Sequence, residues 1–155
     1  MIKVLVVAKT SEKYLFQGID EYLKRIQHFH KINYLEIPSI KNSKNLSELE
    51  QKVKEGEIIL KEIKENDHLI LLDENGKEFS SLQMAEKLEK KLAGFKTIVF
   101  VVAGPYGFSE EVVKRSAEKW SLSKLTFSHQ MVRLFFLEQI YRSFSILKGM
   151  PYHHR

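Results

Sequence analysis

The spacing of apolar positions along this 155-residue chain changes several times, and each change marks an element. Met1–Ala8 is a continuous apolar run and predicts a buried strand. From Ser11 to His28 the spacing is helical, with Leu15, Ile19, Tyr22, Leu23 and Ile26 on one face. Ile32–Ile37 predicts a second strand closed by Pro38, and the polar stretch Ser39–Asn45 a loop. Ser47, with Glu50 three residues on, predicts a capping box that opens a helix to about Glu65. His68–Asp73 predicts a strand. Asn75-Gly76 would ordinarily signal a hairpin, but Leu82, Ala85, Leu88 and Leu92 follow at helical spacing, which predicts a strand-to-helix loop instead. Gly94 ends that helix. Lys96–Ala103 predicts a buried strand, and Ser109 an N-cap with Glu110 and Glu111 complementing the helix dipole. Trp120–Leu125 predicts a short strand, and His129–Lys148 a long final helix stopped by Gly149 and Pro151.

Strands alternating with helices in one stretch of this length predict a single α/β domain, residues 1–155, layered around a mainly parallel sheet. The last helix leaves little polar face: Met131, Val132, Leu134–Leu137, Ile140, Tyr141, Phe144, Ile146 and Leu147 are apolar. A helix apolar most of the way round is buried on more than one side. A homodimer interface supplies the second side on one reading, and a central position in a monomer on the other.

Composition narrows the chemistry. Cysteine is absent, so there is no thiol nucleophile or disulfide, as expected of a reducing, cytoplasmic setting. No apolar stretch approaches the ~20 residues a membrane span needs, so no membrane role is expected. The initial apolar run is too short for a signal peptide. The net charge is +5, and residues 114–155 carry eight basic groups against Glu118 and Glu138, a net of +6. That asymmetry suits an anionic partner such as RNA, and also suits ordinary solvated surface.

Two segments carry the candidate site. One apolar strand breaks into Gly104-Pro-Tyr-Gly107 before a helix start, and a short strand breaks into Thr126-Phe-Ser-His-Gln130 before another. Strand ends that turn into helix N-termini leave backbone N–H groups for a ligand at the carboxyl edge of an α/β sheet. The glycine turn matches neither a P-loop nor a dinucleotide fingerprint, and no nucleophile elbow or zinc-protease motif is present. His28 and His30 read as surface or cap residues, and no metal site is expected from His153-His154.

In combination these segments resemble a known family. Val101-Val-Ala-Gly-Pro-Tyr-Gly107, Leu122-Ser-Lys-Leu-Thr-Phe127, Ser128-His-Gln-Met-Val-Arg-Leu134, Glu138-Gln-Ile-Tyr-Arg142 and the Tyr-His tail resemble the RlmH type of SPOUT methyltransferase. Tyr14, Glu21-Tyr-Leu-Lys-Arg25 and Leu72-Asp-Glu-Asn-Gly-Lys77 match as well, so the resemblance runs the length of the chain. It implies a SPOUT fold with a five- to six-stranded sheet and a C-terminal trefoil knot, the cofactor region falling at about residues 70–155. It also implies a homodimer that uses S-adenosyl-L-methionine to methylate N3 of a pseudouridine in 23S ribosomal RNA, on the assembled ribosome. A non-catalytic RNA- or ribosome-binding protein of the same fold is the alternative.

The resemblance assigns cofactor binding to Leu72, to Ala103, Gly104 and Gly107 of the turn, and to Leu122, Ser123, Lys124, Leu125, Thr126 and Phe127. Where the family has Gly-Gly this chain has Ala103-Gly104, and an alanine needs an ordinary φ. Where the family has a single tail histidine this chain has two. Methylating N3 requires loss of its proton, a task for a base of near-neutral pKa. His129, His153 and His154 are candidates, with Tyr152 and Arg155 beside them in the tail. A helix N-terminus would keep His129 neutral. Arg133 and Arg142, with Lys124, are candidates for RNA contacts, or else for salt bridges to Glu138 and similar acids.

Overall fold

The computed structural model describes residues 1–154; Arg155 lies outside the described residues. Strands β1 (Ile2–Val7), β2 (Ile32–Ile37), β3 (His68–Glu78), β4 (Ile98–Val102) and β5 (Glu118–Ser121) form one sheet in the order β2-β1-β4-β3-β5. Every pairing is parallel. The helices are α1 (Lys13–Gln27), α2 (Glu48–Lys61), α3 (Ser81–Gly94), α4 (Glu110–Arg115) and α5 (Met131–Leu147), with a short 3₁₀ turn at Ser43–Asn45.

Val4–Val7 of β1, Leu69–Leu72 of β3 and all of β4 read as apolar runs because both faces of the sheet are covered there. Alternate residues serve two cores. Val4, Val6, Ile70, Leu72, Phe100 and Val102 meet Ile19 and Ile26 of α1, Met84 and Leu88 of α3, and Phe136, Leu137 and Ile140 of α5. Leu5, Val7, Leu69, Leu71, Val99 and Val101 meet Ile59 of α2 and Val112 of α4 on the other face. The cap signals act as the residue types require. Ser47 accepts from the Glu50 N–H, Ser109 from the Val112 N–H, and Ser80 with Gln83 forms a full capping box.

Three elements differ from the sequence expectation. β3 runs on through Asn75-Gly76 to Glu78, with an irregularity in its pairing to β5 between Leu72 and Lys77. The Asp73 carboxylate accepts from the Asn75 N–H at 2.8 Å, and Gly76 passes so close to β5 that a Cβ there would sit 2.7 Å from the Lys119 carbonyl carbon. The turn-forming pair thus makes a bulge inside a strand. β5 ends at Ser121, not Leu125, because Ser121 Oγ donates to the Ser123 carbonyl and Ser123 Oγ accepts from the Leu125 N–H, turning the chain out of the sheet. α5 begins at Met131, whose N–H is accepted by Ser128 Oγ, so His129 lies in the entry turn.

The apolar girth of α5 is largely answered within the chain. The helix lies on the sheet and packs against both α1 and α3. Phe135, at 41% exposure, and the ring of Phe127 5.1 Å from it belong to what remains outside.

Candidate active site

The carboxyl ends of β4 and β5 and the bulged stretch of β3 open into a cleft of about 530 Å³. Its walls are Leu72–Asn75 at the irregular stretch within β3, Val102 of β4 with the turn that follows to Phe108, Trp120 of β5 with Leu122, Ser123 and Leu125–His129 beyond it, and Val132 from α5. This is where a ligand site of an open α/β sheet belongs, and the volume falls within the roughly 300–1,000 Å³ range of small-molecule sites. Leu72, Ala103, Gly104, Gly107, Leu122, Ser123, Leu125, Thr126 and Phe127 all line it. Lys124 does not; it is exposed and faces an adjoining hollow with Glu74, Asn75, Gly76, Glu78 and Thr126.

The two loops are shaped by a few local bonds. The Gly107 N–H reaches back to the Gly104 carbonyl at 3.3 Å, and Gly107 takes φ +82°, which glycine adopts without strain. Ala103 is not among the positive-φ residues, so its methyl group meets no backbone penalty. Gly104 is glycine for a different reason: a Cβ there would lie 3.0 Å from Glu55 Oε1. Thr126 Oγ1 donates to the Glu74 carboxylate at 2.6 Å and ties the loop after β5 to the bulged stretch of β3.

His129 lines the cleft, and its pKa is lowered by burial and by the nearby charge of Arg133. Its imidazole is therefore a neutral acceptor near pH 7, as its place before a helix suggested. Arg133 itself corrects the expectation of a phosphate contact. Its side chain is fully buried, and the guanidinium donates to the carbonyls of Val7 (2.6 Å), Ala8 (2.9 Å) and His129 (3.0 Å) and to Thr10 Oγ1 (3.1 Å). A group held this way cannot meet RNA without unfolding its surroundings. It binds the end of β1, where Ala8 takes φ +70°, to the entry turn of α5.

The tail lies elsewhere. Tyr152 donates to Glu138 Oε1 at 2.9 Å and pairs with the Tyr22 hydroxyl at 3.0 Å. Burial, with those two partners, raises the Tyr152 pKa and keeps the phenol protonated. His153 Nδ1 is 3.1 Å from Arg142 Nη1, while Arg142 Nη2 bonds Glu138 Oε1 at 2.5 Å. Arg142 thus takes the salt-bridging role in this arrangement, and its guanidinium also covers the Tyr152 ring. Glu138 and Arg142 lie about 9–15 Å along the helix axis from Val132 at the cleft. Tyr152, His153 and exposed His154 therefore do not line the cleft of their own chain.

Sequence reasoning missed Asp73, Glu74 and Asn75, although the rule that ligands gather at strand carboxyl ends points to them. It also missed Glu55, an acid four residues before Ile59 on the buried stripe of α2. Among the described residues lining the cleft, Asp73 and Glu74 are acidic and none is Lys or Arg, in a chain of net charge +5. No three His, Asp or Glu side chains among the described residues come together to hold a metal ion, and no helix is long and apolar enough to cross a membrane.

Comparison with known proteins gives a consistent picture. The family described as "Predicted SPOUT methyltransferase" matches residues 1–153. A Flavobacterium johnsoniae protein named Ribosomal RNA large subunit methyltransferase H is 56% identical over 155 residues, covering 99% of each chain. Proteins of the same name are 55% identical in Parabacteroides distasonis, covering 99% of this chain and 98% of that one, and 48% identical in Bacteroides fragilis, covering 97% of each.

Proposed function

We propose that this chain, which belongs to the SPOUT methyltransferase family, uses S-adenosylmethionine to methylate N3 of a pseudouridine in large-subunit ribosomal RNA. The observation that carries the reading is the single cleft built by Leu72–Asn75, the Gly104–Phe108 turn and Leu122–His129. The cleft fits the cofactor in chemistry as well as size. Apolar walls from Leu72, Val102, Leu122 and Leu125 suit an adenine ring, the loop backbones suit its polar edge, and Asp73 and Glu74 suit a cation. When bound, S-adenosylmethionine supplies the methyl group.

The chain's own residues do the rest. His129 borders the cleft, and its neutral imidazole accepts the N3 proton as nitrogen takes the methyl group. Arg133 fixes the His129 backbone from behind. Lys124, exposed at the rim, meets RNA phosphate. The tail keeps a role only if it reaches a cleft, and because it does not reach its own, a second copy must present it. That makes the active unit a homodimer joined at the uncovered part of α5 near Phe135, with the tail from Tyr152 through His153 and His154 closing over the partner's site. The family's trefoil knot falls in the region from about residue 70 onward. One small domain offers RNA a small footprint, so the assembled ribosome is the substrate and the cytoplasm the place of action.

Calorimetric titration with S-adenosylmethionine tests the cofactor, and mass spectrometry of ribosomal RNA from a deletion strain, before and after treatment of its ribosomes with the protein, tests the product. Binding at roughly micromolar affinity and one methyl group gained on a pseudouridine are expected. Absence of binding at millimolar cofactor would favour a non-catalytic ribosome-binding protein.

A further inference from the structure

Glu55 takes no part in the chemistry described above, yet it sits directly behind the cofactor turn. It is only 4% exposed. Gln51 donates to its Oε2 at 3.3 Å, and its Oε1 has no hydrogen-bond partner among the described residues. A Cβ on Gly104 would lie 3.0 Å from Oε1 and 3.2 Å from Oε2, so only the thickness of a glycine separates this carboxylate from the cleft that Gly104 lines. A buried carboxylate with a free oxygen is costly to keep, and the cost falls when a cation comes near. Burial raises the Glu55 pKa, an effect that Gln51 offsets only in part. The rim acids Asp73 and Glu74 each accept a hydrogen bond, from the Asn75 N–H and from Thr126, whereas Glu55 Oε1 accepts none among the described residues.

We propose that Glu55 is a specificity-determining residue whose negative charge, acting across Gly104, favours the positively charged sulfonium cofactor over the neutral thioether left after methyl transfer. The proposal rests on the cofactor reading above. Glu55 need not touch the ligand. A charge in a desolvated site acts over several ångströms, and it distinguishes two ligands that differ by one methyl group and one unit of charge. The consequence is easier exchange of spent for fresh cofactor.

The test is calorimetric titration of wild type and Glu55→Gln with three probes: S-adenosylmethionine, S-adenosylhomocysteine and sinefungin, an analogue that carries an amine charge in place of the sulfonium. In the variant the two charged ligands should weaken on the order of tenfold and the neutral thioether less than twofold. Equal weakening of all three would make Glu55 a mere support of the turn and overturn the proposal, as would no change in any. Glu55→Met, neutral and of similar size, gives the same readout if the amide variant melts early. Failure of the wild type to bind S-adenosylmethionine would instead overturn the cofactor reading, and this proposal with it.

Discussion

Replacing Arg133 tests whether its charge serves RNA or the fold. The guanidinium is fully buried and donates to four oxygens, three of them main-chain carbonyls. The carboxylate nearest to it, Glu36, is 3.9 Å away, so the cation is balanced chiefly by carbonyl dipoles. Hydrogen bonds from a charged donor contribute about 1.5–3 kcal/mol each, while taking the ion out of water costs several kcal/mol. In Arg133→Met the carbonyls lose their donor but the buried charge also disappears, and the two effects leave a net loss of about 3 kcal/mol. In a domain of this size each kcal/mol shifts the melting temperature by about 2–4 °C, so the variant should melt roughly 10 °C lower. Arg133→Lys keeps the charge but lacks the planar fork that spans Val7, Ala8 and His129, and it should lose about half as much. Urea unfolding followed by circular dichroism measures both. If Arg133→Met matched the wild type within about 0.5 kcal/mol while losing RNA affinity, the structural role argued for Arg133 would be refuted.

The cluster at the other end of β3 makes a pH prediction. Burial works against ionising Glu118, but hydrogen bonds from Lys91, His68 and Trp120 outweigh it and hold its carboxyl at about 2, down from 4.5. A carboxylate more acidic when folded stabilises above the unfolded pKa and loses that contribution as pH falls through the folded one. Glu118→Gln should therefore cost about 2–3 kcal/mol at pH 7, and its difference from wild type should vanish between pH 4.5 and 2 in urea titrations. A constant difference across that window would show that charge is not the cause. Gly76→Ala should destabilise by about 2–3 kcal/mol, since the new methyl meets Lys119 and Trp120 backbone at under 3 Å; an unchanged melting temperature would contradict that close approach. Phe135→Asp should leave the chain folded, as Phe135 is 41% exposed within it, yet convert a sedimenting dimer to a monomer. A wild type that sediments as a monomer would remove the dimer.

How far the residues announced the structure depends on what each signal measures. Periodicity reports burial, so the strand and helix order, and the two strand-end loops that form the cleft, were readable. It fails where one local signal serves two geometries: Asn75-Gly76 suits a turn and a strand bulge equally, and only the approach of β5 decides. The docking of the tail on Glu138 and Tyr22 joins residues up to 130 positions apart and leaves no local trace. Arg133 was misread because its charge was weighed before its place. Phe136, Leu137 and Ile140, at the third, fourth and seventh positions after it, put it on the buried stripe of α5, just as Ile59 puts Glu55 on that of α2. A charge on an apolar stripe persists in a fold only if something nearby answers it. Arg133 is answered by the carbonyls of Val7, Ala8 and His129, on the α5 face of the sheet. Glu55, on the α2 face, has one oxygen unanswered among the described residues and lies against Gly104. The two breaks in the hydrophobic pattern thus lie behind the two loops of one cleft, a cation on the side of His129 and an anion on the side of the glycine turn. That arrangement of charge suits the proposed reading, in which the cleft takes a cationic cofactor while His129 stays neutral.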